Sequence, residues 1–204
     1  MQDMAQTAQI SGDRNSALPG DSGVWVFIIA DMCAFAVFFA LFAAGRIAQP
    51  ELYEASRSQL DLGLGLANTL ILLTSGAFMA RAARQARTDD LAGARFSLMV
   101  TLAIGSLFGV SKVFEWSAKL SHGITLTTNE FFTYYFVFTG IHFLHFVIGI
   151  GVLAVLIARS KGGADKGIDR AGQLRWIEAG GAYWHMVDLL WIVLFAMLYL
   201  LSAA

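Results

Sequence analysis

Charged residues, prolines and cysteines are scarce in this sequence, and these shortages exclude several classes of protein. Only 14% of the 204 residues are charged and two are proline, whereas 57% are hydrophobic and the mean hydropathy is +0.62. A soluble domain with a single core does not have this composition, so the chain is predicted to be an integral membrane protein. The single cysteine, Cys33, excludes a disulfide framework and a CxxC metal site.

Five apolar runs are long enough to cross a bilayer as helices, since about 20 residues suffice at ~1.5 Å per residue. The predicted spans are residues 22–45, 62–83, 96–118, 131–158 and 178–202. They predict an all-α integral membrane bundle of five transmembrane helices, forming one domain over residues 22–204. Residues 1–21 are polar and are predicted to be a loosely held tail. This tail lacks the basic region and short apolar run of a signal peptide.

The basic residues are distributed unequally between the two sides of the predicted membrane domain. The tail and the second and fourth connections carry ten Lys and Arg residues, and the other connections carry three, with Lys112 left aside as part of a helix. By the positive-inside rule, the N-terminus is predicted to be cytoplasmic and the C-terminus periplasmic. The expected location is the bacterial inner membrane, with several passes.

The last predicted span carries a polar stripe. Glu178, Gly181, His185 and Asp188 are spaced three, four and three residues apart, so they fall on one face of a helix. Ionisable groups in a spanning segment are costly, and they normally face the bundle interior and pair there. Gly181 on the same face is expected to allow a close approach by a neighbouring backbone. The other spans are therefore expected to supply partners.

Three further polar residues lie at overlapping estimated depths. Asp31 interrupts the first span, and His142 and His145 share a face of the fourth. One interpretation is a buried acid that hydrogen-bonds to a neighbour, and the other is a protonatable group on a path. In both, Asp31 faces protein rather than lipid. We predict one internal polar network of Asp31, His142, His145, Glu178, His185 and Asp188, in which Asp31, His145, His185 and Asp188 hold the first span against the last two.

Other polar residues are expected to have structural roles. Asn68 and Ser75 in the second span are typical of contacts between membrane helices. Glu115 lies three residues from Lys112 and four from Lys119, near the far end of the third span. We interpret these three residues as an end-of-helix ion pair at the outer membrane surface, with the lysine side chains extended towards water.

The histidines also allow a metal or haem hypothesis. His142, His145 and His185 could ligate haem iron or a metal ion, because axial histidines from facing helices form b-type haem sites. Histidines three residues apart on a glycine-bearing face are more often packed and hydrogen-bonded, so no cofactor and no metal are expected. A transporter is disfavoured because the sequence has no internal repeat and no clearly broken pair of helices.

The segment from Glu178 to Trp191 closely resembles the final-helix motif of cytochrome c oxidase subunit III, the third subunit of haem-copper oxidases. Its sequence EAGGAYWHMVDLLW is similar to the family pattern E-A-x-x-x-Y-W-H-F-V-D-x-x-W. Further matches are TGIHFLHF in the fourth span, LANT and Ser75-Gly76 in the second, and Phe114-Glu115-Trp116 in the third. The resemblance covers all five spans.

The departures from the family pattern indicate a short form. Full-length members have seven helices, and the first two, which form one wall of a lipid-filled cleft, are missing here. Asp31 stands where the family has a Glu, Phe143 replaces a Gly, and Met186 replaces a Phe. A five-helix chain with Asp in its first helix resembles the accessory proteins associated with nitric oxide reductases.

The resemblance implies a subunit that has no redox centre or catalytic centre of its own. The expected partners are the catalytic subunit of a haem-copper oxidase or a nitric oxide reductase, and phospholipid; no nucleic acid is expected. Such a subunit supports assembly, stability and proton uptake. The alternative is a small membrane haem-binding or metal-binding protein that uses the three histidines.

Overall fold

The computed structural model describes residues 22–160 and 170–201, which form six α-helices and one π-helical turn. The predicted tail and part of the second basic connection lie outside the described residues. The helices are α1 (Ser22–Ala48), α2 (Pro50–Arg57), α3 (Leu62–Arg87), α4 (Leu91–Ser121), α5 (Glu130–Arg159) and α6 (Arg170–Phe195), and α6 continues into the π-helical turn Ala196–Leu200.

The five long helices confirm the predicted all-α bundle. Helices α1, α3, α4, α5 and α6 are each long and apolar enough to cross a membrane. They extend beyond the predicted spans, and the largest difference is α6, which begins at Arg170 instead of at residue 178. The apolar runs mark only the part of each helix that lies in hydrocarbon. The helices continue beyond it because backbone hydrogen bonding does not require apolar side chains.

Side chains just before three of the helices fix where those helices begin. Asp61, Asp90 and Asn129 precede α3, α4 and α5, and each accepts a hydrogen bond from the backbone N–H three residues later, at 2.9–3.0 Å. This is the arrangement of N-cap residues, which satisfy otherwise unpaired amides of the first turn. Between α3 and α4 the chain reverses within a few residues, and Asp89 takes a positive φ of 63° there.

Helix α6 is at the centre of the bundle and α1 is at its edge. The difference is seen in the most apolar stretch of each span, with α6 taken together with the π-helical turn. In α6, 61% of the residues in this stretch are buried, whereas in α1 only 11% are. Trp184 of α6 lies between two glycines, because a Cβ atom added at Gly105 of α4 or Gly149 of α5 would come within 3 Å of its ring. The bulky ring and the two bare backbones allow close helix packing, as small residues do in membrane bundles.

The bundle has two chemically different ends. The end where α3 and α5 terminate and α4 and α6 begin carries most of the arginines and is called the basic end below. At the opposite end, Tyr53 of α2 donates a hydrogen bond to Glu130 of α5 at 3.2 Å, and Gln49 donates to the same carboxylate at 2.6 Å. Burial and the nearby carboxylate raise the pKa of the Tyr53 phenol above its ordinary value.

Candidate functional site

Asp31 of α1 and His145 of α5 form a polar pair near the edge of the bundle. Oδ1 of Asp31 lies 3.2 Å from Nε2 of His145, and Nδ1 of His145 lies 2.9 Å from the carbonyl oxygen of Ile141. A carbonyl oxygen can only accept a hydrogen bond, so Nδ1 carries a hydrogen. The second ring nitrogen, Nε2, is then the atom that faces the Asp31 carboxyl group.

Aromatic rings surround this pair, while its side chains are not completely enclosed. The rings of Phe27 and Phe35, both on α1, lie 6.4 and 6.0 Å from the His145 ring. Phe27 also stacks on Tyr183 of α6, whose hydroxyl donates to the carbonyl oxygen of His145 at 3.1 Å. The side chains of Asp31 and His145 remain 14% and 11% exposed. The pair therefore lies between α1, α5 and α6, close to the outside of the bundle.

His185 and Asp188 form a second pair within α6. Nδ1 of His185 lies 3.5 Å from Oδ2 of Asp188, and Oδ1 of Asp188 is buried with no hydrogen-bond partner in the described residues. Gly76 of α3 packs against this carboxylate so closely that a Cβ atom there would overlap Oδ2. Asp188 is thus fixed where α3 crosses α6, whereas the His185 side chain is 47% exposed.

The single network predicted from the sequence is divided in the structure. Within the described residues, no hydrogen bond or ion pair links the Asp31–His145 pair to the His185–Asp188 pair. Glu178 lies outside both pairs, because it forms an ion pair with Arg87 at 2.9 Å near the basic end. Gly181 faces the side chain of Met79 rather than a neighbouring backbone. Equal depth and a shared helix face do not decide which neighbouring helix supplies the partner of each group.

His142 is also separate from both pairs. It is fully buried, its ring lies 5.6 Å from Phe108 and 5.4 Å from Trp191, and neither ring nitrogen has a hydrogen-bond partner in the described part of the chain. Of the two residues expected to pack between helices, Ser75 donates to the carbonyl oxygen of Thr101 across the α3–α4 contact at 2.9 Å. Asn68 is fully buried, but its side-chain amide has no partner in the same part of the chain.

Lys112 and Glu115 form the predicted ion pair, but the prediction that the pair is exposed, with the lysine side chains extended towards water, is wrong. Lys112 is fully buried, Glu115 is buried, and Nζ of Lys112 lies 2.9 Å from Oε2 of Glu115. The hydroxyls of Tyr135 and Tyr199 both donate to Oε1 of Glu115 at 2.6 Å. Lys119 is also buried, and its Nζ donates to the carbonyl oxygen of Gln59 at 3.3 Å.

Aromatic rings complete the surroundings of the buried lysine. Nζ of Lys112 lies 4.7 Å from the Trp191 ring centroid and 5.3 Å from that of Tyr135, within the range of cation–π attraction. The cluster joins α4, α5 and the end of α6, and it places four polar groups in mutual contact. A buried charge pair is tolerated when hydrogen bonds satisfy its remaining atoms, which the two tyrosines do here.

Two features of the sequence indicate this buried cluster. Positions 112, 115 and 119 are spaced three and four residues apart, so they form one stripe, and the structure turns that stripe inward. Tyr135 and Tyr199 lie at the same end of two other spans and offer hydroxyl donors at matching depth. The segment that precedes α3, which contains Gln59, covers Lys119 from outside.

A groove of about 800 Å³ lies between α1, α3 and α6. Its walls are mostly apolar and include Trp25, Met79 and Leu189, while Arg84, Arg87 and Glu178 line its basic end. His185 also lines this groove, which explains its partial exposure. The groove therefore combines an apolar length with a charged end.

The structure does not assemble a metal site from the histidines. No group of three or more His, Cys, Asp or Glu side chains that could hold a metal ion is present in residues 22–160 and 170–201. His145 is hydrogen-bonded to Asp31 and to a carbonyl oxygen, and His142 is enclosed by rings. His185 lies on α6, apart from the other two histidines on α5, and is paired there with Asp188.

Comparisons with known proteins all indicate the same family. The chain matches the family model described as cytochrome c oxidase subunit III over residues 1–203. It is 31% identical to cytochrome c oxidase subunit 3 of Synechocystis sp., over 96% of this chain and 87% of that relative. The protein of the same name from Thermostichus vulcanus is 32% identical, over 88% of this chain and 86% of the relative. A heme-copper oxidase subunit I+III of Aeropyrum pernix is 28% identical over 88% of this chain and 22% of the relative.

Proposed function

The chain belongs to the cytochrome c oxidase subunit III family of haem-copper oxidases, and we propose that it is a non-catalytic, cofactor-free subunit that stabilises its complex and supports proton uptake. The family match over residues 1–203 is the observation that carries this proposal. The arrangement of the polar residues supports it. Asp31 pairs with His145 and, separately, His185 pairs with Asp188. The hydroxyls of Tyr135 and Tyr199 satisfy the buried Lys112–Glu115 pair.

The proposed partner is the catalytic subunit of a terminal oxidase. One relative has a name that joins subunits I and III in a single chain, which supports a partner that lies beside this protein in the membrane. Helix α1 is the least buried of the five spans, and Val26, Ile29 and Val37 on it are exposed. Apolar side chains on the outside of a membrane bundle contact either lipid or another subunit, so α1 has surface available for a partner.

A nitric oxide reductase is the second candidate partner. The observation that favours it is Asp31, which stands in the first helix where the family has the longer acid Glu. The structure gives this acid a defined neighbour, His145, at 3.2 Å. Identification of the catalytic subunit that accompanies the chain separates the two candidates.

We also propose that the groove between α1, α3 and α6 binds a phospholipid. Its apolar walls fit acyl chains, and Arg84 at its basic end provides a charge for a headgroup phosphate. A lipid held there would also contact α1, which few protein side chains cover.

The support of proton uptake is assigned to the Asp31–His145 pair. The two groups lie in contact near the outside of the bundle, and a proton added to the pair would be taken up without a large rearrangement. In a complex, this pair would raise the local supply of protons beside the catalytic subunit. The pair itself performs no redox step.

The proposal is tested by removing the chain from cells that contain the complex. The enzyme activity of the complex in isolated membranes is followed during turnover until it is lost. The amount of assembled catalytic subunit is measured in parallel. We expect less assembled subunit, a shorter active lifetime, or both, with restoration by the wild-type chain. Unchanged assembly and lifetime would overturn the proposed role. A haem absorption band on the separately purified chain would favour the alternative of a haem-binding protein.

A further inference from the structure

A second pocket, distinct from the groove, opens at the basic end between α5 and α6. It has a volume of about 240 Å³ and shares no lining residue with the groove. Leu156 and Ile177, both buried, contribute apolar lining. Arg159, Gln173 and Trp176 contribute polar and aromatic lining. The pocket therefore brings one cation, one amide and an apolar surface together near the end of two spanning helices.

Arg159 is placed to bind an anion. Its guanidinium carbon lies 4.6 Å from the centroid of the Trp176 ring, a cation–π contact that occupies the face of the guanidinium. The N–H groups at the edge of a stacked guanidinium remain available to an acceptor. Two other arginines at this end have carboxylate partners, since Arg87 pairs with Glu178 and Arg170 with Asp89. Arg159 has no such partner in the described ranges.

Gln173 provides a second, independent observation. The residue is 8% exposed and lines the same pocket, and its side-chain amide has no hydrogen-bond partner in the part of the chain that the structure describes. Its amide atoms are not among the completely enclosed polar atoms of the described residues, so they remain accessible to a ligand. An amide N–H donor and the Arg159 guanidinium in one pocket together match an oxygen-rich anion, because phosphate oxygens accept from both kinds of donor.

The position of the pocket favours a lipid phosphate over a free ion. Both helices that form it are candidate membrane spans, and the pocket lies at the end of α5 and near the start of α6. Trp176 is 55% exposed, and tryptophans concentrate at the level of the headgroups. The apolar lining from Leu156 and Ile177 is suited to the start of an acyl chain, which inorganic phosphate lacks.

We propose that this pocket binds an anionic phospholipid, with the phosphate on Arg159 and Gln173 and the acyl chains against Leu156 and Ile177. The lipid would contact both α5 and α6 where the chain passes between them, and so stabilise the position of the last helix. This inference does not depend on which catalytic subunit accompanies the chain, nor on occupation of the groove.

The test uses quenching of tryptophan fluorescence by brominated lipids. The full-length chain is reconstituted in phosphatidylcholine vesicles that contain either brominated phosphatidylglycerol or brominated phosphatidylcholine. The contribution of Trp176 is the difference between the wild type and Trp176→Phe, and Trp25, which lines the groove, is assessed in the same way with Trp25→Phe. The measured quantity is the relative affinity of the Trp176 site for the anionic over the zwitterionic lipid.

We expect Arg159→Gln to lower this relative affinity by roughly tenfold, the size of effect given by loss of one charge-assisted hydrogen bond. Gln173→Glu keeps the size of the side chain but places a negative charge against the phosphate, so we expect a similar loss. Arg81→Gln is the matched control, because Arg81 is exposed, lies in the last two turns of α3 and lines neither cavity. The control should stay within about twofold of the wild type, a difference below that of one surface interaction.

Three results would overturn the inference. The first is an unchanged preference in both Arg159→Gln and Gln173→Glu, with each variant monodisperse and helical. The second is an equal loss in Arg81→Gln, which would reduce the effect to general surface charge. The third is complete loss of the preference when inorganic phosphate replaces chloride at equal ionic strength, which would indicate a site for the free ion. If Arg159→Gln does not fold, the isosteric Gln173→Glu alone decides the matter.

Discussion

Oδ1 of Asp31 lies 3.2 Å from Nε2 of His145, and this contact joins α1, the least buried span, to α5. The other ring nitrogen of His145 is fixed by the Ile141 carbonyl oxygen, so Nε2 is the atom left to contact Asp31. The same contact therefore has a structural role, in holding α1, and a proposed chemical role, in holding a proton.

Asp31→Asn should separate these two roles. The amide can donate a hydrogen bond to Nε2 of His145, so we expect the amount of chain that copurifies with the catalytic subunit to stay within about twofold. The amide cannot exchange a proton, so the active lifetime of the complex should shorten. Asp31→Leu removes the hydrogen bond, costs about 1–3 kcal/mol and should reduce copurification. Equal copurification of the Asn and Leu variants would contradict the structural role.

The Lys112–Glu115 cluster should respond very differently to single and double substitution. Glu115→Gln leaves a buried ammonium without its carboxylate, which typically destabilises a protein by about 3–5 kcal/mol. Replacing both residues, as Lys112→Met with Glu115→Gln, should recover much of that loss. Thermal unfolding of the purified chain measures both, with Glu51→Gln on the exposed surface as the control. Additive losses in the double variant would show that the two charges do not stabilise each other.

Two glycines in α5 provide a test of the packing around Trp184. A Cβ atom at Gly149 would lie 2.9 Å from the Trp184 ring, whereas one at Gly151 has nothing within 4 Å. Gly149→Ala should therefore destabilise the chain by about 1–3 kcal/mol, the usual cost of an overfilled core. Gly151→Ala should change the free energy of unfolding by less than about 0.5 kcal/mol. Equal effects of the two substitutions in thermal unfolding would contradict the observed packing.

The orientation in the membrane remains a prediction from the distribution of basic residues. Reporter fusions at Arg87 and Lys166 should give cytoplasmic signals, and a fusion at Ala204 should give a periplasmic signal. The reason is the excess of Lys and Arg on the side that these two connections share with the N-terminus. A periplasmic signal from Lys166 would reverse the assignment and place the basic end, with its two proposed lipid sites, in the other leaflet.

The sequence predicted the helices well because each long apolar run has only one stable conformation in hydrocarbon. Its predictions of side-chain partners were weaker. Helix spacing correctly brought His185 near Asp188, which are three residues apart, but it could not choose between partners on different helices. Asp31 contacts His145 and not Asp188 because α1 packs at the edge, beside α5 and α6. The rotation and neighbours of each helix depend on the whole bundle.

The exposure of Glu115 was predicted wrongly for a related reason. Hydropathy marks a charged residue near the end of a span as exposed, but the side chains of three other elements cover this one. The hydroxyls of Tyr135 and Tyr199 donate to Glu115, and the ring of Trp191 lies near the Lys112 ammonium. These contacts stabilise the buried Lys112–Glu115 pair. In this protein, charged residues at helical spacing lie opposite tyrosines at the same depth of the bundle. This combination indicates that the charged residues are buried rather than exposed.

The most direct test of the proposed function is affinity purification of the tagged chain from native membranes, followed by identification of the accompanying subunits and a visible spectrum. We predict stoichiometric recovery of a haem-copper oxidase or nitric oxide reductase catalytic subunit, with all haem absorbance assigned to that subunit and none to the chain after separation. Recovery of the chain without any such subunit under mild detergent, or a stoichiometric haem band on the isolated chain that His145→Ala removes, would contradict it.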